Sequence, residues 1–553
     1  MKNIKPIIFS TCFVGLLLSF QSCSKKIDDA YANPNADVRK PLEQLLPNTV
    51  AALVINNTAS GSNFGTQLDG QYVGRYVQFW ATNTAQNQYD MMGMTTTNDA
   101  GANSDIGGSQ WGMHYYAQGQ NISRIIEWGI EEKKWDYVGA AHAIRAFGWL
   151  AVTDMHGEVV VKDAFNPGLL TFRYDEQSVA YDEVKKNCHL ALEYLNRTGD
   201  GVSDANLAIG ANYSSMKGDR EKWKKFTYAI LARVFHRITN KASYQPDSVI
   251  YYASQAMTSN ADNAYILFEN NATATRSFYG ASRGNIGVLR QTRFASDLMS
   301  GLNPTFLNVE DPRAWYILRE NSNTVPTFKG IRPAKGLPDG LATADQPLNY
   351  WGSTGTAGTD ANARYVYRDG MPWPLATAAE MEFLKAEAYF RKNDKANALT
   401  AYRNGISLNI DMLTTVYTNA IPSTKVIDAT IKNNFLNNPL VVPSSANLTL
   451  SHIMLQKWIA IYAFGFMEAW ADLRRYHYTD DATGNPAATP AQQVYANFAP
   501  PSGSDLFVNN NSKVIYRVRP RFNSEYRWNT AALLPLGGLA LDYHTKEQWF
   551  SQK

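Results

Sequence analysis

Three arrangements in this chain pair residue types that could do covalent or acid–base chemistry. Gly280-Ala281-Ser282-Arg283-Gly284 matches the Gly-x-Ser-x-Gly pattern, which holds a serine nucleophile on a strand-to-helix turn. That turn needs a buried strand before it and a helix after it. Thr273 to Tyr279 is too polar for the strand, and Gly287 weakens any helix that follows. Cys188-His189 sets a thiol beside a base, but neighbours in a helix point apart, so Cys188 reads as a core residue. Carboxylate pairs such as Glu380 and Glu382 cannot be placed across a substrate from spacing alone. Neither a P-loop nor a dinucleotide glycine fingerprint is present. The eight His are scattered, without HExxH and without paired Cys. We expect no catalytic constellation, no metal and no cofactor.

One cysteine does have a chemistry that its context suggests. Lys2 and Lys5 precede a mostly apolar run, Ile7 to Phe20, that is too short for a stable span. Phe20-Gln21-Ser22-Cys23 follows. A small residue directly before cysteine, after such a run, resembles a bacterial lipobox. Cleavage there makes residues 1–22 a lipoprotein signal peptide and Cys23 the lipidated first residue, its acyl chains palmitate in type. Cys12 lies in the signal and Cys188 alone remains, so no internal disulfide can form.

Size and composition bound the rest. The 553 residues are 45% hydrophobic, enough to bury a large core, and 12% aromatic, with 31 Tyr and 13 Trp. Net charge is +3, and no basic block exceeds Arg517–Arg521, which argues against a nucleic-acid partner.

The elements that would position any site are mostly helical. Ser451 to Tyr478 is apolar on nearly every face and free of proline, and reads as a buried central helix capped by Ser451. Gln456, Lys457 and Glu468 make it too polar to span a bilayer. Glu468, Asp472 and Arg475 fall at helical spacing and can pair on one face. Earlier helices are expected over 71–80, 138–152, 181–195, 222–239 and 248–257. Asp219 caps the fourth of these, and Gly157 ends the second. Residues 378–406 read as a tetratricopeptide-like helical hairpin, Ala386, Tyr389 and Phe390 facing Ala398, Ala401 and Tyr402. Trp80 and Trp111 sit beside helices and read as core. Residues 23–37 are a polar tether. Residues 38–553 are taken as one mainly α domain of helical hairpins, with an irregular, loop-rich insert at about 270–375. A long polar loop also spans 82–112; loops of this length are functional or mobile.

Several stretches together resemble the SusD/RagB family of nutrient-binding outer-membrane lipoproteins. Asn33-Pro34-Asn35 follows the lipobox. Thr153-Asp154-Met155-His156-Gly157 comes next, then Gly218-Asp219 leading to Lys222-Trp223-Lys224-Lys225, then Asp311-Pro312-Arg313. Pro372 and Pro374 lead into Glu382-Phe383 and Ala386-Glu387-Ala388. Gln456-Lys457-Trp458-Ile459-Ala460 leads into Glu468-Ala469-Trp470 and Arg474-Arg475. Pro520-Arg521-Phe522, Glu525-Tyr526 and Asn529 close the series. The ordered set covers nearly the whole chain. The resemblance implies a helical scaffold of four tetratricopeptide-like hairpins under a loop-rich ligand-binding part. It also implies a SusC-type TonB-dependent transporter as partner, oligosaccharide or peptide as cargo, and a lipid anchor in the outer membrane facing the cell surface. The competing classes are a lipid-anchored glycoside hydrolase and a scaffold lipoprotein without a small ligand.

Sugar faces stack on exposed aromatics, and amides and charges take the hydroxyls. The irregular stretches offer such groups. We expect ligand contacts from Gln86, Tyr89 and Asp90 in the first, Tyr279 and Arg283 in the second, and Asn349, Tyr350 and Trp351 in the third.

Overall fold

Helix caps are written into the sequence, and the scaffold is built on them. A computed structural model describes residues 39–54, 65–85, 89–90, 92 and 107–553. Cys23, Gln86 and the tether lie outside these residues. The scaffold helices are α1 (Gly119–Glu131), α2 (Trp135–His156), α3 (Gln177–Asn196), α4 (Arg220–Arg237), α5 (Pro246–Gln255), α6 (Ala378–Arg391), α7 (Lys395–Val416), α8 (Leu450–Ala460) and α9 (Phe466–Arg475). Asp219 caps α4, accepting from Lys222 N at 3.1 Å. Thr377 and Asp394 cap α6 and α7 in the same way. Gly157 ends α2 with φ of 84°, a left-handed conformation that suits glycine. Within the scaffold α2 packs on α3, α4 on α5, and α6 on α7. The fold is mainly α, as expected. Among the described residues only two small antiparallel sheets occur: β1 (Trp80–Thr82) with β3 (Leu289–Gln291), and β2 (Ala264–Ile266) with β4 (Trp373–Ala376). Leu42–Lys553 forms one unit. No described helix is long and apolar enough to cross a membrane.

The central stretch is two helices, not one. Thr449, not Ser451, caps α8, accepting from His452 N at 3.3 Å. Residues 461–465 turn the chain, with Ala463 at φ 71°. The buried charges account for the bend. Lys457 is fully buried and lies 2.8 Å from Asp472. On a straight helix those residues would be about 22 Å apart, so only a break lets them meet. A buried ammonium without a partner would cost several kcal/mol. Asp472 also pairs with Arg475 at 2.7 Å, as the spacing implied. Glu468 instead reaches Arg233 and Arg237 on α4. Trp458, Trp470, Trp80 and Trp111 are all core residues.

Buried charges continue through the hairpins. Arg233 takes Glu380 in a two-pronged pair, both bonds 2.7 Å, and Arg237 reaches Asp154 at 2.8 Å. Glu380 is therefore a structural ion. Burial raises the Glu387 carboxyl, but Arg475, His236 and Arg391 outweigh it and hold it well below the usual range.

The irregular insert uses arginine differently. Its chain leaves many carbonyls outside any ladder, and each buried one needs a donor. Arg290 is buried and donates to four carbonyls: Gly287 at 2.7 Å, Leu289 and Thr354 at 3.0 Å, and Gly355 at 2.8 Å. Arg319 reaches the carbonyls of Tyr350 and Asn362. One guanidinium thus does the work of a strand edge.

Candidate functional site

The expected aromatic platform is present as a cluster but faces inward. Tyr89, Asp90, Tyr279, Asn349, Tyr350 and Trp351 are all buried, which corrects their reading as ligand-facing loop residues. Tyr350 stacks on Tyr367 at 4.1 Å and hydrogen-bonds Tyr462 at 2.6 Å. Trp351 donates from its indole to Tyr279 O at 3.0 Å. Tyr279 sits edge-on between Trp80 and Trp373. Asn349 donates to Gly355 and Ala357 and accepts from Trp351 N and Ser353 N. Tyr89 packs edge-on against Tyr76, and Asp90 accepts from Phe507 N at 2.6 Å. Burial pushes the Asp90 carboxyl up to about 7. Tyr89, Tyr279, Tyr350 and Trp351 belong to the one continuous core that the irregular region shares with the helical scaffold. Arg283 stays half-buried, donating to Arg276 O at 3.2 Å and lying over Phe278.

The Gly-x-Ser-x-Gly match has no strand before it. Residues Ala281–Arg283 form a single 3-10 turn, and Ser282 hydrogen-bonds Asp369. Cys188 is buried, and burial pushes its thiol well above the ordinary range. Neither site has the geometry of a nucleophile with its base.

An open groove of about 600 Å³ lies between the insert, where the chain turns through Asp311-Pro312-Arg313, and the segment bearing Thr424, Lys425 and Ile431. Its aromatic wall is Trp315 against Phe328, ring centroids 4.9 Å apart at 69°. Both side chains are half-buried. Lys425 lies over the indole at 4.8 Å. Glu310, Thr327, Lys329 and Thr424 supply exposed polar groups around the groove.

Rigid contacts hold each wall. Arg313 binds Asp311 through both arms, at 2.9 and 2.6 Å, and donates to Asn409 at 2.9 Å. Buried Asn321 accepts from Thr327 N and donates to its hydroxyl, fixing the turn that carries Val325 and Phe328. Tyr316 accepts from Ile427 N at 3.2 Å and ties the segment bearing Thr424 and Lys425 to the groove. The arrangement can stack a flat apolar face and hydrogen-bond its rim. Asp311, fully engaged by Arg313, offers no partner to Glu310 for acid–base hydrolysis. Sequence reasoning used Asp311-Pro312-Arg313 only as one motif of the family resemblance. The available signal was an aromatic two residues past the turn, inside the stretch already marked as irregular.

Helical hairpins bearing a loop-rich insert with an aromatic-walled groove make up a protein built on a helical scaffold. The chain belongs to the SusD-like family described as starch-binding and associating with the outer membrane, whose model matches residues 34–497. A SusD/RagB family protein from Bacteroides thetaiotaomicron has a similar solved structure: TM-score 0.68, 19% identity, 93% of this chain and 99% of that one. A chitin-binding SusD homolog from Flavobacterium johnsoniae aligns with TM-score 0.60 and 18% identity over 92% of this chain and 98% of that one. A SusD homolog from Bacteroides fragilis aligns with TM-score 0.63 and 16% identity over 92% and 100%. No curated protein matches the chain.

Proposed function

We propose that this chain is a non-catalytic nutrient-binding lipoprotein of the cell surface. It captures oligosaccharide, or peptide, and hands it to a SusC-type TonB-dependent transporter. Cys23 holds it in the outer membrane by lipid. The family description supports the carbohydrate and the membrane. The single observation that carries the reading in this chain is the Trp315–Phe328 wall in an open groove ringed by polar side chains. Capture on so open a surface is weak, on the order of micromolar to millimolar, because few groups are desolvated. Weak capture suits delivery, which requires release.

Calorimetry with starch-type and chitin-type oligosaccharides tests this reading. Trp315→Ala is expected to weaken binding of the cognate glycan several-fold at unchanged melting temperature. Glycan affinity that survives both Trp315→Ala and Phe328→Ala removes this groove from the site. If peptides bind and glycans do not, the stacking argument fails and the import role alone stands.

A further inference from the structure

A second cavity, about 300 Å³, lies between residues 111–120, residues 160–172 and Glu525. Trp111, Tyr115, Tyr116, Phe165 and Phe172 supply aromatic walls. Trp111 and Tyr115 lie 4.8 Å apart, and Tyr115 and Phe165 6.0 Å. The local backbone is unusual on both sides. Met113–Gln118, which carries both tyrosines, is π-helical, a form found often at functional sites. Phe165 sits at φ 60°, a left-handed conformation that a phenylalanine rarely adopts. Gly119 makes room for that ring, since a Cβ there would come within 2.3 Å of it.

The one acid in the lining is Glu525, a residue that is 6% exposed. Its Oε2 accepts from Tyr174 OH at 2.9 Å and Asn529 Nδ2 at 2.8 Å. No described residue donates to Oε1, and no described lysine, arginine or histidine forms an ion pair with this carboxylate. The buried acids Glu380, Glu387, Glu468, Asp472, Asp154 and Asp311, by contrast, each meet a lysine, arginine or histidine. Arg521 lies over Tyr116 at 5.6 Å and Arg145 over Phe165 at 4.5 Å, so two of these rings already attract cations, but neither guanidinium bonds Glu525.

A buried carboxylate without a counter-charge, in a box of aromatic faces, is complementary to one kind of ligand. We propose that this cavity binds a small organic cation, an ammonium group on a compact body, with Glu525 as its counter-ion and Trp111, Tyr115, Tyr116 and Phe165 as its cage. The amine of an amino sugar and a methylated ammonium share that chemistry. The site is separate from the Trp315 groove, so the two readings fail independently.

The test uses the full chain and four probes: choline, its neutral isostere 3,3-dimethylbutanol, glucosamine and N-acetylglucosamine. Calorimetry or ligand-observed NMR should show saturable binding of at least one cation, with its neutral counterpart at least roughly tenfold weaker. Preference for glucosamine points to amino sugars, and preference for choline to methylated ammonium. Glu525→Gln should remove the discrimination. Tyr116→Ala, at a wall position half open to solvent, should weaken cation binding several-fold with the fold intact. Equal binding of cation and neutral counterpart, or no saturable binding of either cation, overturns the proposal. Binding unchanged in both variants overturns it too.

Discussion

Arg475 grips Glu387 with both arms of its guanidinium, Nη1 to Oε1 at 2.8 Å and Nη2 to Oε2 at 2.9 Å. Both side chains are fully buried, one on α9 and the other on α6. His236 and Tyr476 add bonds of 2.7 Å each to the same carboxylate. This one acid therefore joins three of the scaffold helices.

Glu387→Ala should destabilise the fold by about 3–5 kcal/mol, because it leaves Arg475 buried without its main partner. Glu387→Gln should cost less, since it keeps the shape and part of the bonding. Denaturant unfolding of both variants reads this out. A cost under about 1 kcal/mol for the alanine would mean that water or Asp472 replaces the pair.

Trp351→Ala should act on stability rather than on ligand. Its indole is buried and bonded to Tyr279 O, and removing a core tryptophan costs about 3–5 kcal/mol. The contrast with Trp315→Ala is the informative measurement. Thermal melting should fall clearly for the first variant and stay level for the second, while glycan affinity falls for the second.

His477 gives a pH dependence of defined sign. Its hydrogen bond to Glu547 at 3.0 Å, against the effect of burial, and that to Asp480 at 2.6 Å raise the imidazole to about 9. The unfolded value is about 6.5. A raised cation contributes stability that is fully present below about 6.5 and is lost as pH rises through about 9. The melting-temperature difference between the parent and His477→Gln should therefore shrink between pH 7 and 10. A constant difference would mean that the imidazole is neutral throughout.

Cys23→Ala should leave a soluble periplasmic or unprocessed product, because lipid at that residue is the membrane attachment proposed for this chain. Fractionation of cells lacking the transporter checks it. Recovery of the variant with outer-membrane vesicles would refute the anchor.

The scaffold was legible because helices advertise themselves. Asp219 and Gly157 mark ends, and the small-residue faces of 138–152 and 378–406 have a period. The break at 461–465 was not legible, since it follows from Lys457 meeting Asp472, a contact between residues far apart along a helix. In the insert, Tyr350 and Trp351 look the same in sequence whether they point in or out. No periodicity distinguishes the two, and inward packing won because Tyr367, Tyr462 and Trp373 were waiting from elsewhere in the chain. Trp315 was overlooked for the same reason in reverse.

The arginine clamps of the insert bear on how freely its surface can change. Arg290 and Arg319 hold loop carbonyls, which every residue type possesses, and ask nothing of the loop side chains they fasten. The path of Thr354–Gly355 is thereby separated from its surface chemistry. A loop fastened through its backbone can exchange its outward residues while the frame beneath stays still.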